Sequence, residues 1–121
     1  MEALNAKDKS LNGARVLVLG VAYKKDVDDV RESPSLKLIK LLREKGAHVE
    51  YNDPYVGSIK VSDDIMTSVE VTDELLSSAD CVLLATDHSC YNYQRIVDNT
   101  SLLFDARGAT RKIGSNNIVM L

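Results

Sequence analysis

Apolar side chains fall along this chain in short continuous runs separated by polar stretches, and the runs set the order of elements. Residues 14–20 form a branched run bounded by Gly13 and Gly20, with Val16, Leu17, Val18 and Leu19 in succession. Such a run predicts a strand buried on both faces of a parallel sheet. A polar loop follows over 21–32. Ser33 and Pro34 then predict a helix start, because serine can cap free N–H groups and proline suits the first helical position. Leu36, Ile39 and Leu42, with Leu38 and Leu41 one row over, predict a wide apolar face. Lys37, Lys40, Arg43 and Glu44 are expected to face water. Gly46 stands just past the last turn, where glycine is favoured.

Residues 47–51 predict a second strand, closed by the turn signal Asn52-Asp53-Pro54. Strand, helix and strand make a βαβ unit, whose crossover is right-handed as a rule. Over 59–71 apolar and polar residues alternate weakly, enough for one or two short strands. Thr72 predicts the cap of a short helix through Leu75, Leu76 and Ala79. A second continuous apolar run at 81–85 predicts a buried central strand. Residues 93–97 read as a short helix, 102–104 as a strand and 118–121 as a final edge strand. With no repeat, linker or low-complexity tract, residues 1–121 are expected to form one α/β domain. Its class is a three-layer, Rossmann-like open sheet, mainly parallel, with helices on both faces.

Composition narrows the function classes. A chain of 121 residues can bury roughly two-thirds of its unfolded surface and needs no disulfide or metal staple. The net charge of −3 speaks against a general nucleic-acid or membrane-surface binder, so anion recognition must come from a local cluster. No stretch approaches the roughly 20 apolar residues that span a bilayer, and residues 1–12 are polar, without the apolar core of a secretory signal. Cys81 and Cys90, with His48 and His88, show neither a disulfide framework nor metal-ligand spacing. A reduced, cytoplasmic compartment is the expectation.

In open α/β sheets, ligands bind beyond the C-terminal ends of the strands, near the point where strand order reverses. Three stretches are expected there: 20–31, 86–91 and 105–108. The first lacks the GxGxxG dinucleotide fingerprint, since Val21, Ala22 and their successors give no glycines for close approach to a pyrophosphate. It does offer Lys24, Lys25 and Arg31 beside a helix N-terminus, a reasonable phosphate site. On charges alone, pairing of the lysines with Asp26, Asp28 and Asp29 on a solvated loop is the favoured reading.

A longer pattern reverses that weighting. The stretch reads Gly20-Val21-Ala22-Tyr23-Lys24-Lys25-Asp26-Val27-Asp28-Asp29-Val30-Arg31-Glu32-Ser33, followed by Gly46-Ala47-His48-Val49 and Asp53-Pro54. Thr86-Asp87-His88 and Phe104-Asp105-Ala106-Arg107 come after the later strands. From about Leu11 to the C-terminus, in this order, the chain resembles the C-terminal domain of the UDP-glucose/GDP-mannose dehydrogenase family. Ala22-Tyr23-Lys24 with Arg31-Glu32-Ser33-Pro34 is most similar to the branch acting on UDP-N-acetyl-hexosamines.

The resemblance implies a UDP-sugar recognition domain of an NAD-dependent enzyme of polysaccharide biosynthesis. That family oxidises the C6 hydroxyl of a nucleotide sugar to a carboxylate in two hydride transfers to NAD. It implies substrate-binding roles for Tyr23 as packing surface and for Lys24 and Arg107 as cations. Arg31 is implied to reach NAD, which is bound mainly by an N-terminal domain. The partners implied are the UDP-sugar and the N-terminal and central dehydrogenase domains, in a homo-oligomeric parent. The family's GxGxxG domain, catalytic cysteine and central lysine have no counterpart here, so this chain is expected to be a detached piece or separate reading frame, inert alone. Cys81, within an apolar strand, is expected to be structural and Cys90 incidental. His88 is expected to shape its loop, Asp53 to serve the turn, and Asp26, Asp28 and Asp29 to shape the first loop. The competing class is a stand-alone nucleotide- or CoA-binding regulatory module, which shares the strand, basic loop and Ser-Pro helix start. It is not expected to carry Asp28 and Arg31 together with Phe104, Asp105 and Arg107. A phospho-acceptor receiver fails, because Gly20, Val21, Ala22 and Thr86 stand where acids are needed.

Overall fold

The computed structural model describes residues 11–31 and 33–121; Glu32 and the polar start at 1–10 lie outside the described residues. Its centre is a five-stranded, wholly parallel sheet. The strands are β1 (Arg15–Leu19), β2 (His48–Asn52), β5 (Cys81–Leu84), β6 (Leu103–Asp105) and β7 (Ile118–Met120), in the order β2-β1-β5-β6-β7. A separate antiparallel hairpin joins β3 (Ser58–Val61) to β4 (Asp64–Thr67). The helices are α1 (Pro34–Glu44), α2 (Asp73–Ser78) and α3 (Tyr93–Asn99).

The two inner apolar runs become the two central strands because each is covered on both faces. Val16, Val18, Cys81, Leu83 and Phe104 pack with Ile39 and Leu42 of α1. Leu17, Leu19, Val82, Leu84 and Leu103 pack with Leu76 of α2 and Ile96 and Val97 of α3. Alternate residues of one strand thus feed opposite layers, as a period of two requires. The Cys81 thiol is fully buried in this layer, and burial pushes its pKa up to about 11, which makes it inert; Cys90 is exposed.

Local signals locate the helix ends. The Ser33 hydroxyl accepts from the Ser35 N–H, and Pro34 opens α1. Gly46, at φ 89°, closes α1 with two reverse bonds, Gly46 N–H to the Arg43 carbonyl and Ala47 N–H to the Leu42 carbonyl. This left-handed cap is one that glycine adopts without a Cβ penalty. Thr72 caps α2 through the Leu75 N–H, with Asp73 and Glu74 at the positive end of the helix dipole. Asn92 caps α3 through the Arg95 N–H.

The apolar face of α1 is narrower than its sequence predicts. Ile39 and Leu42 are buried, but Leu38 is only half-buried and Leu41 is 48% exposed. A single helix over a short sheet offers one contact stripe, and the fully buried Ser35 takes a place on it. Arg43 is half-buried and pairs with Asp64 of the hairpin at 2.5 Å.

Candidate functional site on the strand-end rim

Because all five strands run parallel, their C-terminal ends share one rim. Order reverses between β1 and β5, and the loops after these strands and after β6 meet there. Close approach of β1 and β5 depends on Gly20, whose φ is 89° and which faces Thr86 across a gap too small for a side chain. Thr86 in turn donates its hydroxyl to the Ala22 carbonyl at 2.8 Å.

Arg107 ties three loops together. Its Nε donates to the Ala85 carbonyl at 2.8 Å and its Nη2 to the Tyr23 carbonyl at 3.3 Å. The backbone that carries this side chain is held by Asp105, which accepts from the Arg107 and Gly108 N–H groups and from both the N–H and hydroxyl of Thr110. Tyr23 and Lys24 are thereby brought beside Arg107 on an open rim, Tyr23 being 51% exposed and Lys24 and Arg107 also exposed. Arg31 stands apart from that pair of cations. Its Nε and Nη2 make a two-pronged contact with Asp29, each at 3.1 Å, while the Asp29 carbonyl accepts from the Tyr23 N–H at 2.6 Å.

The acidic residues of the first loop make their close contacts elsewhere and meet the lysines only through longer-range attraction, Lys25 acting on Asp26 and Lys24 on Asp29. Asp29 is taken by Arg31, and Asp26 accepts from the N–H and hydroxyl of Ser89 at 2.8 and 2.6 Å. Among the described residues, the Lys24 and Lys25 ammonium groups enter no hydrogen bond or close ion pair. Pairing within the loop, the reading that charge alone favours, takes the form of this longer-range attraction and not of direct salt bridges. The cations are left facing solvent.

The missing glycine fingerprint has a structural counterpart. Asp53, completely buried, places Oδ2 2.8 Å from the Val21 N–H and 3.1 Å from the Ala22 N–H, while Oδ1 accepts from the Tyr55 N–H. Backbone donors just after the first strand would face a pyrophosphate in a dinucleotide fold. Here an internal carboxylate occupies them. These two amides are therefore not open to a ligand phosphate. Asp53 does serve its turn, as the sequence suggested, but its larger contacts are to the first loop. Its partner His88, Thr86 and Asp105 lie in the stretches expected at the rim, but the contacts by which they support it are not readable from the sequence; Asp105 lies two residues before Arg107, with Gly108 and Thr110 close behind.

Several carboxyls are held in their charged form. Hydrogen bonds from Ser89 lower the Asp26 pKa, and those from Arg31 lower that of Asp29. Burial alone would raise Asp105, but its bonds from Thr110, Arg107 and Gly108 outweigh it and the net shift is downward. A group depressed on folding contributes stability above its unfolded value, here the ordinary 3.8, and loses it as pH falls through the lower folded value. Melting temperature followed from pH 5 towards pH 2 should therefore fall below about pH 4, and Asp105→Asn should make that fall shallower. A profile identical in the variant would show that Asp105 has no part in acid unfolding.

Concavities lie off this rim crossing. One groove, of about 260 Å³, runs between Asn52, Glu70, Cys90, Tyr91 and Arg95. No cluster of three or more metal-ligating side chains exists among the described residues, and no helix among them is long and apolar enough to cross a membrane.

A parallel open sheet in the order β2-β1-β5-β6-β7, with helices packed against it, defines a Rossmann-like domain. Residues 17–112 match the UDP binding domain of the UDP-glucose/GDP-mannose dehydrogenase family, and the chain belongs to that family. A UDP-N-acetyl-D-mannosamine dehydrogenase from Methanococcus vannielii is 37% identical over 88 residues, covering 69% of this chain and 18% of that protein. A UDP-glucose 6-dehydrogenase from Rickettsia bellii is 47% identical over 47 residues, covering 39% of this chain and 11% of the relative. Among solved structures, a UDP-D-ManNAc dehydrogenase from Pyrococcus horikoshii superposes with a TM-score of 0.76 at 27% identity, over 98% of this chain and 27% of that one. The chain thus spans about a fifth to a quarter of the length of such relatives.

Proposed function

We propose that this domain recognises the uridine diphosphate part of a UDP-sugar for an NAD-dependent nucleotide-sugar 6-dehydrogenase. The observation that carries the proposal is the match of residues 17–112 to the family's UDP binding domain. Lys24, in no hydrogen bond or close ion pair among the described residues, and Arg107, anchored on two carbonyls, would face the diphosphate. Arginine contributes fixed, fork-shaped donors and lysine a mobile point charge, a combination suited to a phosphate pair. Tyr23, half exposed, would give packing surface. The sugar proposed is an N-acetyl-hexosamine, supported by similarity to the Methanococcus and Pyrococcus enzymes.

NAD would accept the two hydrides that turn a C6 hydroxyl into a carboxylate. Its main binding surface is proposed to lie in dehydrogenase domains outside this chain, since Asp53 already occupies the loop amides here. Arg31 fits an edge contact to that cofactor: its side chain is 87% exposed, and Asp29 fixes its plane while leaving other N–H groups outward. The parent enzyme is proposed to be a cytoplasmic homo-oligomer of polysaccharide biosynthesis. A stand-alone CoA-binding role draws no support from the matched relatives.

Titration calorimetry with UDP tests the reading. The chain should bind UDP weakly, and Lys24→Ala and Arg107→Ala should each weaken binding about tenfold, the scale of one charge-assisted hydrogen bond. Equal binding by both variants would remove these residues from the site.

A further inference from the structure

The loop that carries Tyr23 and Lys24 is held at its two ends by one buried side-chain pair. At its start, Asp53 Oδ2 accepts from the Val21 and Ala22 N–H groups. The same oxygen lies 2.9 Å from Nε2 of His88, and both side chains are completely buried. At the loop's far end, the Asp26 N–H donates to His88 Nδ1 at 2.8 Å. An N–H cannot donate to a protonated nitrogen, so Nδ1 carries the lone pair and Nε2 the hydrogen, which it donates to Asp53. The 3.9 Å approach of Nδ1 to the Asp26 carboxylate is accordingly no ion pair.

The ring has no room to turn. Tyr55 and Tyr91 flank it at centroid distances of 4.8 and 5.8 Å, and the Tyr93 hydroxyl holds the His88 carbonyl at 2.7 Å. Asp26 itself sits at φ 62°, in the left-handed region that aspartate enters more readily than most residues, and its carboxylate clasps Ser89 in return. Residues 23–25 therefore bridge two points fixed by the same imidazole.

We infer that His88, in its Nε2–H form, is a positioning residue for the diphosphate-binding loop, setting the height of Tyr23 and Lys24 above the rim through Asp53 and Asp26. The inference rests on the UDP reading above. It makes the histidine a strut between β2 and the first loop, with no contact to ligand.

Two half-replacements separate the arms. In His88→Asn the side-chain oxygen can replace Nδ1 and keep the Asp26 bond; in His88→Gln the amide nitrogen can replace Nε2 and keep only the Asp53 bond. UDP affinity should fall about tenfold in His88→Gln, the scale of one buried hydrogen bond, and less than about threefold in His88→Asn. Nitrogen NMR of the labelled parent should show protonated Nε2 and bare Nδ1. A protonated Nδ1, or equal losses in the two variants, or undiminished binding by His88→Gln, overturns the inference. Should His88→Gln not fold, the tautomer signal and the affinity of His88→Asn decide. A parent chain that binds no UDP refutes the functional reading instead, and amide exchange then judges the strut: faster exchange at Tyr23 and Asp26 in His88→Gln supports it, and unchanged exchange overturns it.

Discussion

Gly20→Ala should remove a large share of the stability of this domain. A Cβ at this position would lie 2.4 Å from the Thr86 Cβ and 2.8 Å from both the backbone nitrogen and oxygen of Thr86. Backbone cannot swing aside as a long side chain would. Thr86 and Ala85 both donate to the Leu19 carbonyl, so relief would require β1 and β5 to part at the switch point. The positive φ of 89° adds roughly 1–2 kcal/mol for a side chain in left-handed backbone, and overpacking adds about 1–3 kcal/mol. Against a total stability on the order of 5–15 kcal/mol, the loss is large, and a melting temperature lower by on the order of 10 °C is expected. Thermal unfolding followed by circular dichroism checks it; a decrease of under about 2 °C would mean that the strands are not in close contact at this point.

Asp53→Ala should be nearly as damaging. It strips partners from three backbone N–H groups, those of Val21, Ala22 and Tyr55, and from His88 Nε2. Each buried donor left unpaired costs about 1–3 kcal/mol, less where water can enter. A total loss of about 3 kcal/mol or more is expected in urea unfolding. Asp53→Asn should be intermediate: its oxygen can keep the crowded Oδ2 side, but its amide then faces the Tyr55 N–H, donor against donor. A loss below about 1 kcal/mol in Asp53→Ala would contradict the buried network.

How much of this was legible in the sequence follows the range of the interactions involved. Strands β1 and β5 were readable because burial on both faces demands an unbroken apolar run, and α1 because Ser33, Pro34 and Gly46 act within a turn of their own positions. The hairpin of β3 and β4 was faint, since it stands off the main sheet with only Ile59 and Val61 fully buried. Leu41 looked like core because its row on the helix is apolar; which row meets the sheet is decided by packing that no local pattern encodes. At the rim, the cations Lys24, Arg31 and Arg107 could be picked out by type and motif. The fixture beneath them could not. His88 meets Asp53 across 35 positions and the Asp26 amide across 62, while the local signal at Asp53, next to Pro54, speaks only of a turn.

Uridine diphosphate is proposed to sit where the first loop meets Arg107. Amide chemical-shift mapping of the labelled chain during titration with UDP addresses it directly. The largest changes should fall at Tyr23, Lys24, Lys25 and Arg107, with little at Asn52, Glu70 and Arg95 along the neighbouring groove. Changes concentrated in that groove, with the first loop silent, would contradict the account.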